Sequence, residues 1–167
     1  VEAPEAEMPK RVALLFTEGW ERTVDEAKEA LLDARVKMES AGVEVLDKTK
    51  DDRVSKLEIS IEGAVELSGG LNNWDFRWPL NTYAKDMDID RLSPEAQERL
   101  VAAEAMSMED YQALVQKRKL LRSSYDELQN EFDACVTLSA PGPAPLGLDW
   151  TGDAVFAVPS SVLGTPS

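Results

Sequence analysis

Histidine is missing from all 167 residues, and cysteine occurs once, as Cys135. The first absence excludes Ser-His-Asp and Cys-His catalysis within this chain and removes the commonest transition-metal ligand. The second excludes an intrachain disulfide. Cys135 lies in an apolar run, where burial is expected over reactivity, and a lone thiol fits a reducing compartment such as the cytoplasm. Positive charge is also scarce: 18 Lys and Arg stand against 32 Asp and Glu, a net charge of −14. Repulsion of that sign argues against nucleic acid and anionic membrane surfaces as partners. No run approaches the ~20 apolar residues of a membrane span, and acidic residues 1–8 lack the basic and apolar regions of a secretory signal.

The length suits one domain able to bury roughly two thirds of its unfolded surface. Residues 1–10 read as an acidic linker or tail, and residues 11–167 as the domain. Val12-Ala13-Leu14-Leu15-Phe16 predicts a buried strand. Thr23 and Glu26 have the spacing of a capping box, so a helix is expected to start there, with Asp25 favourable at its positive end. Its apolar stripe is Val24, Ala27, Leu31, Ala34, Met38 and Ala41, and Gly42 supplies the left-handed residue that ends it. A second strand follows at 43–46, completing a strand-helix-strand unit, which favours parallel pairing.

Residues 51–69 carry two periods at once. Leu57 to Glu62 alternates like a strand, while Val54, Leu57, Ile61, Ala64 and Val65 recur like a helix, and the helical spacing runs further. Helix is therefore expected, with Gly69-Gly70 as its cap and another helical segment over 71–85. Ser93-Pro94 opens the next helix, and Ser107 to Asp110 the longest, with a stripe of Tyr111, Leu114, Val115, Leu121, Tyr125, Leu128 and Phe132. Residues 134–138 predict a third strand. The fold class is α/β, a mixed sheet flanked by helices.

Chemistry is sparse. Asp86, Asp88 and Asp90 alternate but lack the glycine and distal glutamate of a calcium-binding loop, so they read as a solvated loop and no metal is assigned. Lys117, Arg118, Lys119 and Arg122 sit among Asp110, Asp126, Glu127 and Glu131 and read as a self-neutralising helix face. A serine hydrolase can work without histidine if a desolvated lysine accepts a proton through a second serine. Ser123-Ser124 falls inside the long helix. Ser160-Ser161 has neither flanking glycines nor an adjacent lysine. Ser68-Gly69-Gly70 reads as a helix end. None of these is assigned as catalytic, and no cofactor motif is present.

Phe132-Asp133, the apolar stretch 134–138, Pro141-Gly142-Pro143-Ala144-Pro145, Thr151-Gly152 and Leu163-Gly164-Thr165-Pro166 follow one another in a distinctive order. That order resembles the tail of an amidase signature hydrolase, and weaker similarity extends upstream through Arg77-Trp78-Pro79-Leu80-Asn81-Thr82-Tyr83 to near Arg11. The resemblance implies a partial amidase signature fold and a function in hydrolysing a non-peptide carbon-nitrogen bond through a serine acyl-enzyme. In that family the lysine, bridging serine and nucleophilic serine belong to a region this chain does not match, so the chain is expected to be the inactive later part, cut at both ends. The implied partners are the remainder of the amidase chain and, in the full protein, a small-molecule amide; a homodimer is left open. Trp74, Trp78, Pro143 and Trp150, with the loop 141–148, are the expected substrate-pocket walls. Three short strands cut from a larger sheet would expose apolar edges, so the isolated chain is expected to dissolve poorly. Two other readings stand beside this one: a non-enzymatic interaction module docking through the helix at 108–132, and a catalytically dead relative serving as a scaffold.

Overall fold

The computed structural model describes residues 7–166, so most of the expected acidic tail lies outside the described residues. The chain divides into two compact units: one runs to Gly63 and resumes at Leu121, and the other is Ala64–Leu120. Among the described residues no helix is long and apolar enough to cross a membrane.

In the first unit, β1 (Arg11–Leu14), α1 (Asp25–Ser40) and β2 (Glu44–Leu46) follow in order, and β3 (Ala134–Val136) joins from the far end of the chain. The sheet order is β2-β1-β3. Both pairings are parallel, with Val12 opposite Val45 on one side and Ala134 on the other. The expectation of a mixed sheet is therefore not met among the described residues. A strand covered on both faces needs an unbroken apolar run, and Val12, Ala13 and Leu14 are at most 1% exposed. Val12, Leu14, Leu31, Val43 and Val45 form one cluster with Phe16, Trp20, Met38, Val136 and Leu138 around it.

The start of α1 differs from the capping-box expectation. Its N-cap is Val24, which makes no side-chain cap bond. The Thr23 hydroxyl donates instead to the Gly19 carbonyl at 2.8 Å, because the chain makes a 3₁₀ turn at Trp20–Arg22 and the buried hydroxyl satisfies that turn. Gly42, at φ +88°, ends the helix as expected.

The ambiguous segment is helical. α2 (Asp52–Ile61) is capped by Asp51, whose carboxylate accepts from the Arg53 amide at 2.8 Å, and it contributes Val54, Leu57 and Ile61 to the core. Glu58, on the same helix, is 5% exposed. Its Oε1 accepts from the Phe16 amide just beyond β1 at 2.8 Å, and its Oε2 pairs with Lys48 Nζ at 3.1 Å. This carboxylate thus receives a backbone donor that the sheet leaves unpaired, and a cation offsets its burial.

The helix break falls at Gly63 (φ +73°), not at Gly69-Gly70. Those glycines lie inside α3 (Ala64–Asp86), which opens the second unit and continues through Pro79. Gly70 has a packing reason instead of a capping one: a Cβ there would stand 2.7 Å from Leu114 Cδ1. α4 (Pro94–Ala105) packs along α3, starting at Ser93, whose hydroxyl accepts from the Ala96 amide. α5 (Met108–Gln129) starts with a reciprocal box in which Ser107 and Asp110 each accept the other's backbone amide. The unit boundary falls within α5. Beyond it, Leu121, Leu128 and Phe132 are buried in the first unit's core. α6 (Ala157–Leu163) ends at Gly164 (φ +76°), and Arg122 Nε donates to the Val162 carbonyl at 3.1 Å, a cation at the negative helix end.

Replacing Glu58 by Leu, which leaves the Phe16 amide without its acceptor, is expected to lower unfolding free energy by about 1–3 kcal/mol, and Glu58→Gln by less. Urea denaturation monitored by circular dichroism checks this. The hydrogen bond from the Arg53 side chain, against the opposing effect of burial, lowers Asp51 from 3.8 to about 2. Since the folded value lies below the unfolded one, its contribution is complete above pH 3.8 and is lost as pH falls toward about 2, a window absent from the denaturation curves of Asp51→Asn.

Candidate functional site

Parallel strands deliver the segments that follow them to one end of a sheet, which is where open α/β sheets bind ligands. The segments after β1 and β3 meet there around a cleft of about 510 Å³. Arg22 and Val24 come from the first segment; residues 139–145, 150–154 and Ala157 come from the second. The Pro141 carbonyl accepts from the Val24 amide at 2.9 Å and ties the two together. Pro141, Pro143 and Pro145 stiffen this wall by fixing φ. Beyond it Leu146 and Leu148 are fully exposed on either side of Gly147 (φ +93°).

The two charged residues among the described lining form a pair. Arg22 Nη1 lies 2.8 Å from Asp153 Oδ2, and Asp153 Oδ1 accepts from the Val155 amide at 3.0 Å. The arginine side chain is 53% exposed and the aspartate 22%, so the pair sits at the cleft surface with the carboxylate on its inner side.

The turn after β1 is tightly constrained. Thr17 is buried at φ 55°, a left-handed conformation that a β-branched residue adopts only under strain, and its hydroxyl accepts from the Gly19 amide at 3.2 Å. Gly19 is also buried, and a Cβ there would come within 2.8 Å of both Val155 and Phe156. The strained turn after β1 therefore packs against Val155 and Phe156, which follow Asp153 in the chain.

The expected wall residues divide between two clefts. Pro143 and Trp150 line the one just described. Trp74 and Trp78 line another, of about 410 Å³, in the second unit, with Arg77, Asn81 and Lys85. There Trp74 stacks on Tyr111 at 4.8 Å between ring centroids, the Arg77 guanidinium lies 5.1 Å from the Trp74 ring, and Trp78 is 80% exposed. Arg22 and Asp153 were not foreseen as site residues, because partners so distant in the chain leave no local pattern.

The serines take structural roles. Ser160 and Ser161 lie within α6, and both hydroxyls donate back to the Ala157 carbonyl. Ser68 lies mid-helix and accepts from Asn72. Asp88 caps a 3₁₀ turn by accepting from the Asp90 amide. No cluster of three or more metal-ligating side chains occurs among the described residues. Burial pushes the Cys135 thiol up to about 11, away from thiolate chemistry at neutral pH. The acids interspersed with the basic helix face pair largely elsewhere: Glu127 with Lys56, and Glu131 with Arg53 and Arg11. Of the helix at 108–132 expected to dock a partner, Leu121, Leu128 and Phe132 are buried in the first unit, while Met108 and Leu120 are exposed.

No family model matches this chain, and no curated protein matches it. A solved crystal structure of an amidase is similar over 96% of this chain, with a TM-score of 0.76 and 21% sequence identity. The fold is amidase-like. The chain spans 37% of that amidase's length. In this amidase-like fold Gly19→Ala is expected to cost about 1–3 kcal/mol through overpacking against Val155 and Phe156. Thermal unfolding of the variant against the parent checks it.

Proposed function

We propose that this chain is part of an amidase, walling the substrate site while the serine nucleophile and its lysine partner lie in polypeptide beyond these residues. The observation that carries this reading is the amidase-like fold covering 37% of a known amidase, with a cleft where the segments after two parallel strands converge. In the full protein a serine attacks the carbonyl of a non-peptide amide, the amine leaves, and water releases the acid from the acyl-enzyme. Pro143 and Trp150 hold the apolar part of the substrate. The partner is the remainder of the amidase chain, and the lone, half-buried thiol fits a cytoplasmic setting.

A second observation supports incompleteness. Among the described residues β3 pairs only with β1, so its outer edge carries unpaired backbone groups. A cavity of about 320 Å³ beside it is lined by Leu15, Ile61, Cys135, Phe156 and Leu163 among others. Further polypeptide packed there would satisfy the edge and fill the cavity.

Expressed with the polypeptide that flanks it in its gene, the protein is expected to release ammonia from primary amides, and this chain alone is expected to release none. A coupled ammonia assay on both preparations decides. Hydrolysis by the chain alone, or none by the longer protein, would overturn the reading.

A further inference from the structure

We infer that the cleft of the first unit selects an uncharged, apolar carboxamide and that the Arg22–Asp153 pair sets this selection. The inference rests on the amidase reading and names the substrate class for the same site.

The walls supply no charge. They are built from Val24, Pro141, Pro143, Pro145, Trp150 and small residues, which accept a flat apolar group. Arg22 and Asp153 are the charged residues among the described lining, and at 2.8 Å they neutralise each other. A carboxylate ligand entering the cleft would gain the guanidinium but meet the Asp153 charge. An amidinium or ammonium ligand would gain Asp153 but meet Arg22.

A carboxamide suits both partners without a like-charge contact. The guanidinium has five N–H donors, of which the bond to Asp153 takes one, so another can donate to the amide oxygen. Asp153 Oδ2 can accept from the amide N–H₂ while Oδ1 remains with the Val155 amide. The pair thus presents a donor and an acceptor side by side, matching the acceptor and donor of one amide group. Specificity built this way comes as much from rejecting the charged analogues as from binding the amide.

Three ligands of one shape test this on the full chain: benzamide, benzoate and benzamidine, titrated by calorimetry, with circular dichroism confirming that each variant stays folded. The parent chain is expected to bind benzamide about tenfold or more tighter than either charged analogue, the scale of one charge-assisted contact. Asp153→Asn keeps an oxygen for the Val155 amide and unmasks Arg22, so preference should swing to benzoate. Arg22→Gln unmasks Asp153, so preference should swing to benzamidine. Trp150→Ala should weaken all three alike. A pair with a merely structural role would not move charge preference in opposite directions in the two variants. Tighter binding of benzoate or benzamidine by the parent, no swing in folded variants, or no binding of any of the three overturns the inference. A longer protein that releases ammonia but shows no swing loses this inference and keeps its function, whereas a swing without any amide hydrolysis overturns the amidase reading alone.

Discussion

The first unit depends on β1 being paired on both edges at once. A strand whose residues 12–14 are essentially unexposed has no water to satisfy its amides and carbonyls, so both neighbours are obligatory. β2 is local, supplied after one helix. β3 is not: the chain must leave through the whole of the second unit before Ala134 can pair with Val12. The return is fastened at the strand's start. The Asp133 carboxylate accepts from the Lys10 and Arg11 amides at 2.7 and 2.9 Å, and those bonds hold it below the usual carboxylate range. Arg11 and Arg53 lie over the Phe132 ring beside it, with Glu131 and Glu44 balancing their charge.

The same parallel arrangement creates the site. Because β1 and β3 run in one direction, the turn after the first and the proline-rich segment after the second emerge together, and neither segment has to be long to reach the other. The constraint then tightens. Thr17 is held at positive φ, Gly19 admits no side chain beneath Val155 and Phe156, and Glu58 and Glu18 hold the Phe16 and Gly63 amides. Strain of this kind persists only where surrounding contacts enforce it, and here the contacts are those of Gly19 with Val155 and Phe156 and of the two glutamates. Leu146 and Leu148, next to the cleft's proline wall, are fully exposed.

The second unit solves a different problem. Its helices have no sheet to cover, so packing rests on close approach and aromatic stacking: Gly70 against Leu114, Trp74 against Tyr111, Arg99 over Phe76. Asn81 and Glu104 add a hydrogen bond from α3 to α4. Trp78, Phe76 and Tyr83 of α3 are exposed.

Local patterns in the sequence determined a good deal: the apolar run of β1, the helical period that outweighs strand alternation at 54–65, the Ser93-Pro94 start, the left-handed glycine at 42, and the order of motifs after residue 132. Each is a property of a few neighbouring residues whose backbone preferences and periodicities act without distant partners. Tertiary structure decided the rest. Thr23 has the spacing of a cap but its hydroxyl is claimed by a buried turn, Gly69-Gly70 has the letters of a terminus but lies inside a helix with Gly70 close against Leu114, and Glu58 sits at a polar-looking position yet is buried to meet a strand amide. The four expected wall residues were legible as apolar groups on suitable segments, but their division into two clefts was not. Arg22 and Asp153 became a site only when parallel pairing brought residues 131 apart to 2.8 Å, a coincidence that no local pattern encodes.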